Sequence, residues 1–202
     1  MLQVEHICKA FGDHQVLHDV SIDVDGGEVV GLLGANGAGK TTLIRIVTRL
    51  LWPDSGRILF DGSPMTQDTM RLIGYLPEER GLYRNMRVGE QALFFMRLKG
   101  MDRYEAERTL HHWFDRLDMT DWWQRPAKEL SKGMQQRLQF VITVAHAPRL
   151  VILDEPFSGL DLAGIDMLKR EIVDLKRHGV ALFLSTHNRQ VSSELCDKTI
   201  EL

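Results

Sequence analysis

The sequence predicts an α/β protein whose strand-and-helix core is interrupted by a helical insert. Three observations lead there. Apolar runs rich in β-branched residues near both ends of the chain have the spacing of strands. A glycine-rich loop at 34–42 joins one such strand to a helix with an apolar face. From about 88 to 147 the apolar spacing turns helical.

The elements follow in chain order. Residues 2–7, 16–24 and 28–33 read as strands, with the turn Asp25-Gly26-Gly27 before the third. The helix after the loop carries Leu43, Ile44, Val47, Leu50 and Leu51 on one face, and Trp52-Pro53-Asp54-Ser55-Gly56 stops it. Residues 57–60 and 72–76 read as short strands. In the insert, Leu93-Phe94-Phe95-Met96 reads as core. Asp102 is placed to cap a helix with Ala106, Leu110, Trp113, Phe114 and Leu117 on its apolar face. Ser131 is placed to cap another with Met134, Leu138, Val141, Ile142 and Ala145, between Pro126 and Pro148. Residues 150–153 form a continuous apolar strand, the pattern of one buried on both faces. Asp161 starts a helix with Ile165, Leu168, Ile172 and Leu175; Gly179 ends it, and residues 180–184 make a second buried strand.

Composition narrows the functional classes. The 202 residues are 44% hydrophobic and 26% charged, which excludes a disordered chain and a disulfide-dense mini-protein. A net charge of -3 gives no bulk positive field, so no nucleic-acid partner is expected. Cys8 and Cys196 stand far apart with no metal-ligand spacing and read as free thiols. His111 and His112 sit in a charged helical stretch and read as solvated. No stretch approaches the ~18 apolar residues that a membrane helix needs, and the first residues lack the pattern of a signal peptide.

Chemistry concentrates in two places. Gly34-Ala35-Asn36-Gly37-Ala38-Gly39-Lys40-Thr41 matches GxxxxGK[ST] between a strand and a helix, and Thr42 follows. Glycines there reach backbone angles closed to other residues, so successive N–H groups can converge on a phosphate at the helix N-terminus. Lys40 supplies charge to the β- and γ-phosphates of ATP, and the Thr41 hydroxyl can ligate Mg²⁺. The second place is the end of the 150–153 strand, where Asp154 and Glu155 follow four apolar residues. A carboxylate there is costly unless a cation meets it. Asp154 is placed to hold Mg²⁺, and Glu155 is the candidate general base for an attacking water.

With these in view, Leu130-Ser131-Lys132-Gly133-Met134-Gln135-Gln136 resembles the LSGGQ signature of ABC ATPases. Ser158-Gly159-Leu160-Asp161 resembles their D-loop, Thr186-His187 their switch histidine, and Phe11 the aromatic that stacks on adenine. The motifs stand in family order along the whole chain. The resemblance implies a P-loop NTPase core of the RecA type with an antiparallel β subdomain and a helical insert. Residues 1–77 and 150–202 would be the nucleotide-binding core and 78–149 the helical and signature subdomain. It also implies that two such domains pair head to tail, as a homodimer. Ser131 and Gly133 of one would then meet the γ-phosphate held by the other, with His187 contacting that phosphate and Asp161 linking the two sites. A membrane-spanning permease subunit is the implied partner, which places the chain in the cytoplasm on the inner face of the membrane.

Three features depart from the family pattern. Glu78 stands where the family keeps a glutamine near Mg²⁺, Lys132 and Met134 alter the signature, and the chain ends at Leu202, before the family's usual end, as a truncated chain would. The segment 76–85 is similar to that of bacterial ATPases serving export-type permeases, including sodium-extrusion ATPases, so Glu78 and Met134 read as features of that branch. An ABC ATPase acting on the ribosome or on DNA is the alternative. Such chains carry two phosphate loops or a long coiled coil, and this sequence has one loop and no sustained heptads.

Overall fold

The computed structural model describes residues 1–79 and 81–202. Arg80, in the acidic run after Leu76, lies outside the described residues. Two sheets organise the chain. β1 (Leu2–Phe11), β2 (His14–Val24), β4 (Ser55–Phe60) and β5 (Ser63–Pro64) form an antiparallel sheet in the order β2-β1-β4-β5. β6 (Ile73–Leu76), β7 (Leu150–Asp154), β8 (Ala181–Thr186), β3 (Val29–Leu33) and β9 (Lys198–Glu201) form a parallel sheet in the order β6-β7-β8-β3-β9.

The parallel sheet is the middle layer, and side-chain alternation along its strands separates two cores. Leu150 and Ile152 of β7, with Phe183 of β8, pack toward α1 (Lys40–Val47) and the antiparallel sheet. Val151 and Leu153, with Leu182 and Leu184, pack toward a layer of helices. That layer holds α2 (Val88–Leu98), α3 (Arg103–Arg116), α4 (Lys132–Val144), α5 (Leu162–Arg177) and α6 (Arg189–Leu195). Strands β3, β7 and β8 are buried along their whole length, which is why they read as unbroken apolar runs.

The three helix starts expected from capping residues form as expected. Asp102 accepts from the N–H groups of Tyr104 and Glu105, Ser131 from that of Met134, and Asp161 from that of Gly164. Gly179, at φ 83, follows α5 in the left-handed conformation.

Elsewhere the boundaries differ. α1 ends at Val47, so Leu50 and Leu51 do not continue its apolar face. Arg49 turns to φ 59, the N–H groups of Leu50 and Leu51 both return to the Arg45 carbonyl, and Leu50 is exposed. Leu72 closes a 3₁₀ turn rather than opening β6. β1 runs on to Phe11, β2 begins at His14, and β8 runs on to Thr186. Of the 93–96 cluster, Met96 is buried, Leu93 and Phe95 are partly buried, and Phe94 is exposed. His111 is exposed and stacks on Trp123 at 4.3 Å. Cys8 and Cys196 are free. No helix of the described residues is long and apolar enough to cross a membrane.

Candidate active site

The phosphate loop links the C-terminal end of β3 to α1, at the carboxyl edge of the parallel sheet where α/β proteins place ligands. Gly37 and Gly39 take φ of 84 and 100, angles that other residues reach only with strain. A Cβ on Gly39 would also stand 2.9 Å from Leu17 Cδ2 and 3.0 Å from Val16 Cγ1, so the β2 strand presses on the loop there. Gly34 does not need a positive φ; its role is close approach, since a Cβ would meet that of Ala38 at 3.0 Å. Lys40 is nearly buried and folds back over the loop, its Nζ donating to the carbonyls of Gly34 at 2.9 Å and Ala35 at 3.1 Å.

Across a cleft of about 350 Å³ stand the acids. Asn36, Lys40, Thr41, Thr42, Glu78 and Glu155 all line it. Glu155 Oε1 lies 3.0 Å from His187 Nδ1 and 3.9 Å from Lys40 Nζ. Glu155 itself holds φ 48, a costly angle for a residue with a side chain, at the turn that leaves β7.

Asp154, the last residue of β7, is fully buried. Its Oδ1 accepts from Ser185 Oγ at 2.5 Å, and that Oγ in turn accepts from the Glu155 N–H at 3.0 Å. Asp154 and Ser185 are paired in the β7–β8 register, so one serine holds both acidic residues. Ser185 carries no motif and sequence reasoning missed it. The available signal was a small polar residue ending an apolar strand that must neighbour the acidic one. Gln136, from α4, adds a bond to the Pro156 carbonyl at 2.9 Å just beyond Glu155.

Asp154 Oδ2 is buried without a hydrogen-bond partner. Such an oxygen is costly unless it meets a cation or its water shell. The Thr41 hydroxyl and the Glu78 carboxylate line the cleft, and Asp154 lies behind its neighbour Glu155 without lining it; the donor set of the three is entirely oxygen, which suits Mg²⁺. Tyr75, on the neighbouring strand β6, has its phenol pushed up to about 12, by burial first and then by the charge of Asp154.

The remaining residues assemble elsewhere. Ser131 and Gly133, at the start of α4, share a second cleft of about 470 Å³ with Gly159, Leu160 and Asp161. Phe11 stands at the tip of the β1–β2 hairpin, 51% exposed. One chain therefore brings together 34–42, 78, 154, 155 and 187, and separately brings together 131, 133 and 161.

The fold and the loop define a P-loop NTPase. Comparison with known proteins is narrower. A family model described as ABC transporter matches residues 17–158. The ABC transporter ATP-binding protein YhaQ of Bacillus subtilis is 44% identical over 197 residues, covering 98% of this chain and 66% of YhaQ. The lipopolysaccharide export system protein LptB of Haemophilus influenzae is 30% identical, covering 98% of the chain and 85% of LptB. A sulfate/thiosulfate import ATP-binding protein of Chromobacterium violaceum is 36% identical, covering 98% and 58%. The solved structure of an ATP-binding subunit of an ABC transporter superposes with a TM-score of 0.93 at 32% identity, over 100% of this chain and 85% of its own. The chain belongs to the ABC transporter family, as its ATP-binding domain.

Proposed function

We propose that this chain binds and hydrolyses ATP as the ATP-binding subunit of an export-type membrane transporter, and that two copies pair head to tail around the nucleotide. The observation that carries this reading is the Glu155 carboxylate. It lies 3.0 Å from His187 and 3.9 Å from Lys40, at the wall of the phosphate-loop cleft.

Each residue then has a role. Lys40 exchanges the carbonyls of Gly34 and Ala35 for β- and γ-phosphate oxygens, a trade of neutral acceptors for charged ones. The N–H groups from Ala35 to Thr42 converge on the phosphates at the N-terminus of α1. Glu155 accepts the proton of the attacking water, and His187 joins that carboxylate to the γ-phosphate. Thr41, Asp154 and Glu78 would hold Mg²⁺, which when bound neutralises charge on the phosphates. Phe11, half exposed at its hairpin tip, is free to stack on adenine.

Pairing is supported by the two separate clefts. Ser131, Gly133 and Asp161 line a cleft that shares no residue with the phosphate-loop cleft of the same chain, which supports a role for them across an interface. We read residues 1–77 and 150–202 as the nucleotide-binding core and 78–149 as the subdomain that faces a permease, at the inner side of the membrane. The export direction is supported by the 76–85 segment and by likeness to LptB, with the import protein as the competing precedent.

Removal of Lys40 tests the nucleotide assignment. Lys40→Ala should weaken ATP binding by at least tenfold, measured by calorimetry. Affinity within about twofold of wild type would contradict it. Copurification with a polytopic membrane protein tests the partner, and transport in vesicles of either orientation tests the direction.

A further inference from the structure

The first two turns of α4 lie against the segment that runs from Glu155 to Asp161. At Gly133 the approach is by backbone. A Cβ there would stand 3.6 Å from the Gly159 carbonyl oxygen and 3.8 Å from Leu160 Cδ2. One turn further on, Gln136 is 2% exposed, and its Nε2 donates to the Pro156 carbonyl at 2.9 Å. That carbonyl belongs to the buried residue directly after Glu155. A buried amide paired with a buried carbonyl has no water to take over the bond if either partner is lost.

Glu155 needs to be held from outside its own segment. Its φ of 48 is costly for a residue with a side chain, and such an angle persists only where the surroundings over-determine it. Local structure supplies one bond, from the Ser158 N–H to the Glu155 carbonyl at 3.1 Å. Two side chains from other elements supply the rest. Ser185, on β8, accepts from the Glu155 N–H at 3.0 Å and so fixes the backbone before the Glu155 Cα. Gln136, on α4, fixes the backbone after it. With the second anchor gone, the strained residue is free to relax, and its carboxylate leaves its place 3.0 Å from His187 and 3.9 Å from Lys40.

We infer that Gln136 is a positioning residue for Glu155, and that its bond to the Pro156 carbonyl ties the carboxylate to the start of α4. Gln136 lines neither the phosphate-loop cleft nor the cleft beside Ser131, so it acts through Glu155 and not on a nucleotide. Ser131 and Gly133 stand within five residues of it at the start of α4. A ligand or a neighbouring chain that shifts this turn therefore shifts the Pro156 carbonyl and the residue before it. The inference rests on the reading of Glu155 as the general base.

The test begins with Gln136→Met, which keeps the length of the side chain and removes the donor. With Mg²⁺ present and ATP varied, kcat should fall at least about tenfold, as for a misplaced catalytic group. ATP affinity by calorimetry should stay within about twofold, because the phosphate loop is intact. In a Glu155→Gln background, Gln136→Met should lower the residual turnover no further, since the group it places is already gone. A merely structural role would lower turnover equally in both backgrounds. Gln136→Glu keeps the shape and serves where the methionine variant fails to fold. Its neutral acid donates to the carbonyl and its carboxylate does not, so its turnover relative to wild type should fall as pH rises from about 6 to about 9. Wild-type kcat in Gln136→Met, an equal further loss in the Glu155→Gln background, or a pH-independent ratio near one for Gln136→Glu would overturn the inference. Failure of the underlying reading looks different. Glu155→Gln turning over at the wild-type rate removes the base itself, whereas an inactive Glu155→Gln beside a fully active Gln136→Met removes only the role of Gln136.

Discussion

Replacing Ser185 with alanine removes one hydroxyl that serves two acidic residues. Ser185 is fully buried, donates to Asp154 Oδ1 at 2.5 Å and accepts from the Glu155 N–H at 3.0 Å. Ser185→Ala leaves both of those groups buried and unpaired. Each unsatisfied buried group costs about 1–3 kcal/mol, with a carboxylate at the upper end. The variant should therefore lose roughly 2–4 kcal/mol of stability. The same bond helps hold Glu155 at its strained φ of 48, so its loss lets the carboxylate drift from the cleft. A small misplacement of a catalytic group can cost on the order of 100-fold in rate. Urea unfolding measures the first effect; ATP turnover at saturating nucleotide measures the second. Turnover should fall at least about tenfold while ATP affinity changes less, because the phosphate loop is untouched. A variant within about 0.5 kcal/mol of wild type with unchanged turnover would show that Ser185 organises neither acid.

Two other perturbations probe different groups. Glu78→Gln should keep ATPase activity but make ATP binding less dependent on Mg²⁺, because the exposed carboxylate on the cleft wall repels the triphosphate until a metal stands between them. EDTA should weaken ATP binding more in wild type than in the variant, and equal weakening would place Glu78 away from the metal. His146 has a pKa of about 4 against an ordinary 6.5, so the unfolded chain binds its proton first as pH falls. Its stabilising contribution is complete above pH 6.5, declines between 6.5 and about 4, and amounts to roughly 3 kcal/mol of pH dependence. His146→Leu should flatten the stability profile in that window, and parallel profiles for the two proteins would contradict the assignment.

What the sequence revealed and what it concealed follow from where each signal resides. The phosphate loop, the three capping residues and the apolar strand 150–153 are local patterns, and each forms where its own residues place it. Asp154 and Glu155 were legible because two acids at the end of a buried strand demand a partner. Ser185 was not, because its role depends on β8 lying beside β7, a pairing between residues 31 apart. The end of α1 was misplaced for a related reason. Leu50 and Leu51 keep a helical spacing, but the left-handed turn at Arg49 breaks the helix before them. Arg49 donates to the Met65 carbonyl at 2.6 Å, a tertiary contact that a local window does not contain. β5 and β9 are short, exposed edge strands with little apolar periodicity, and a cavity near His146 arises only where separate elements meet.

The measurement closest to the central claim is ATP turnover by Glu155→Gln, compared with wild type under saturating ATP and Mg²⁺ and paired with sizing chromatography. The substitution keeps the shape and removes the base, while the phosphate loop and Lys40 stay in place. Turnover should fall by at least about 100-fold, the scale of a lost general base. ATP affinity should hold, and the ATP-bound protein should elute as a dimer because the closed pair can no longer discharge its nucleotide. Turnover at the wild-type rate would show that the carboxylate beside His187 and Lys40 is not the base and would contradict the site as described.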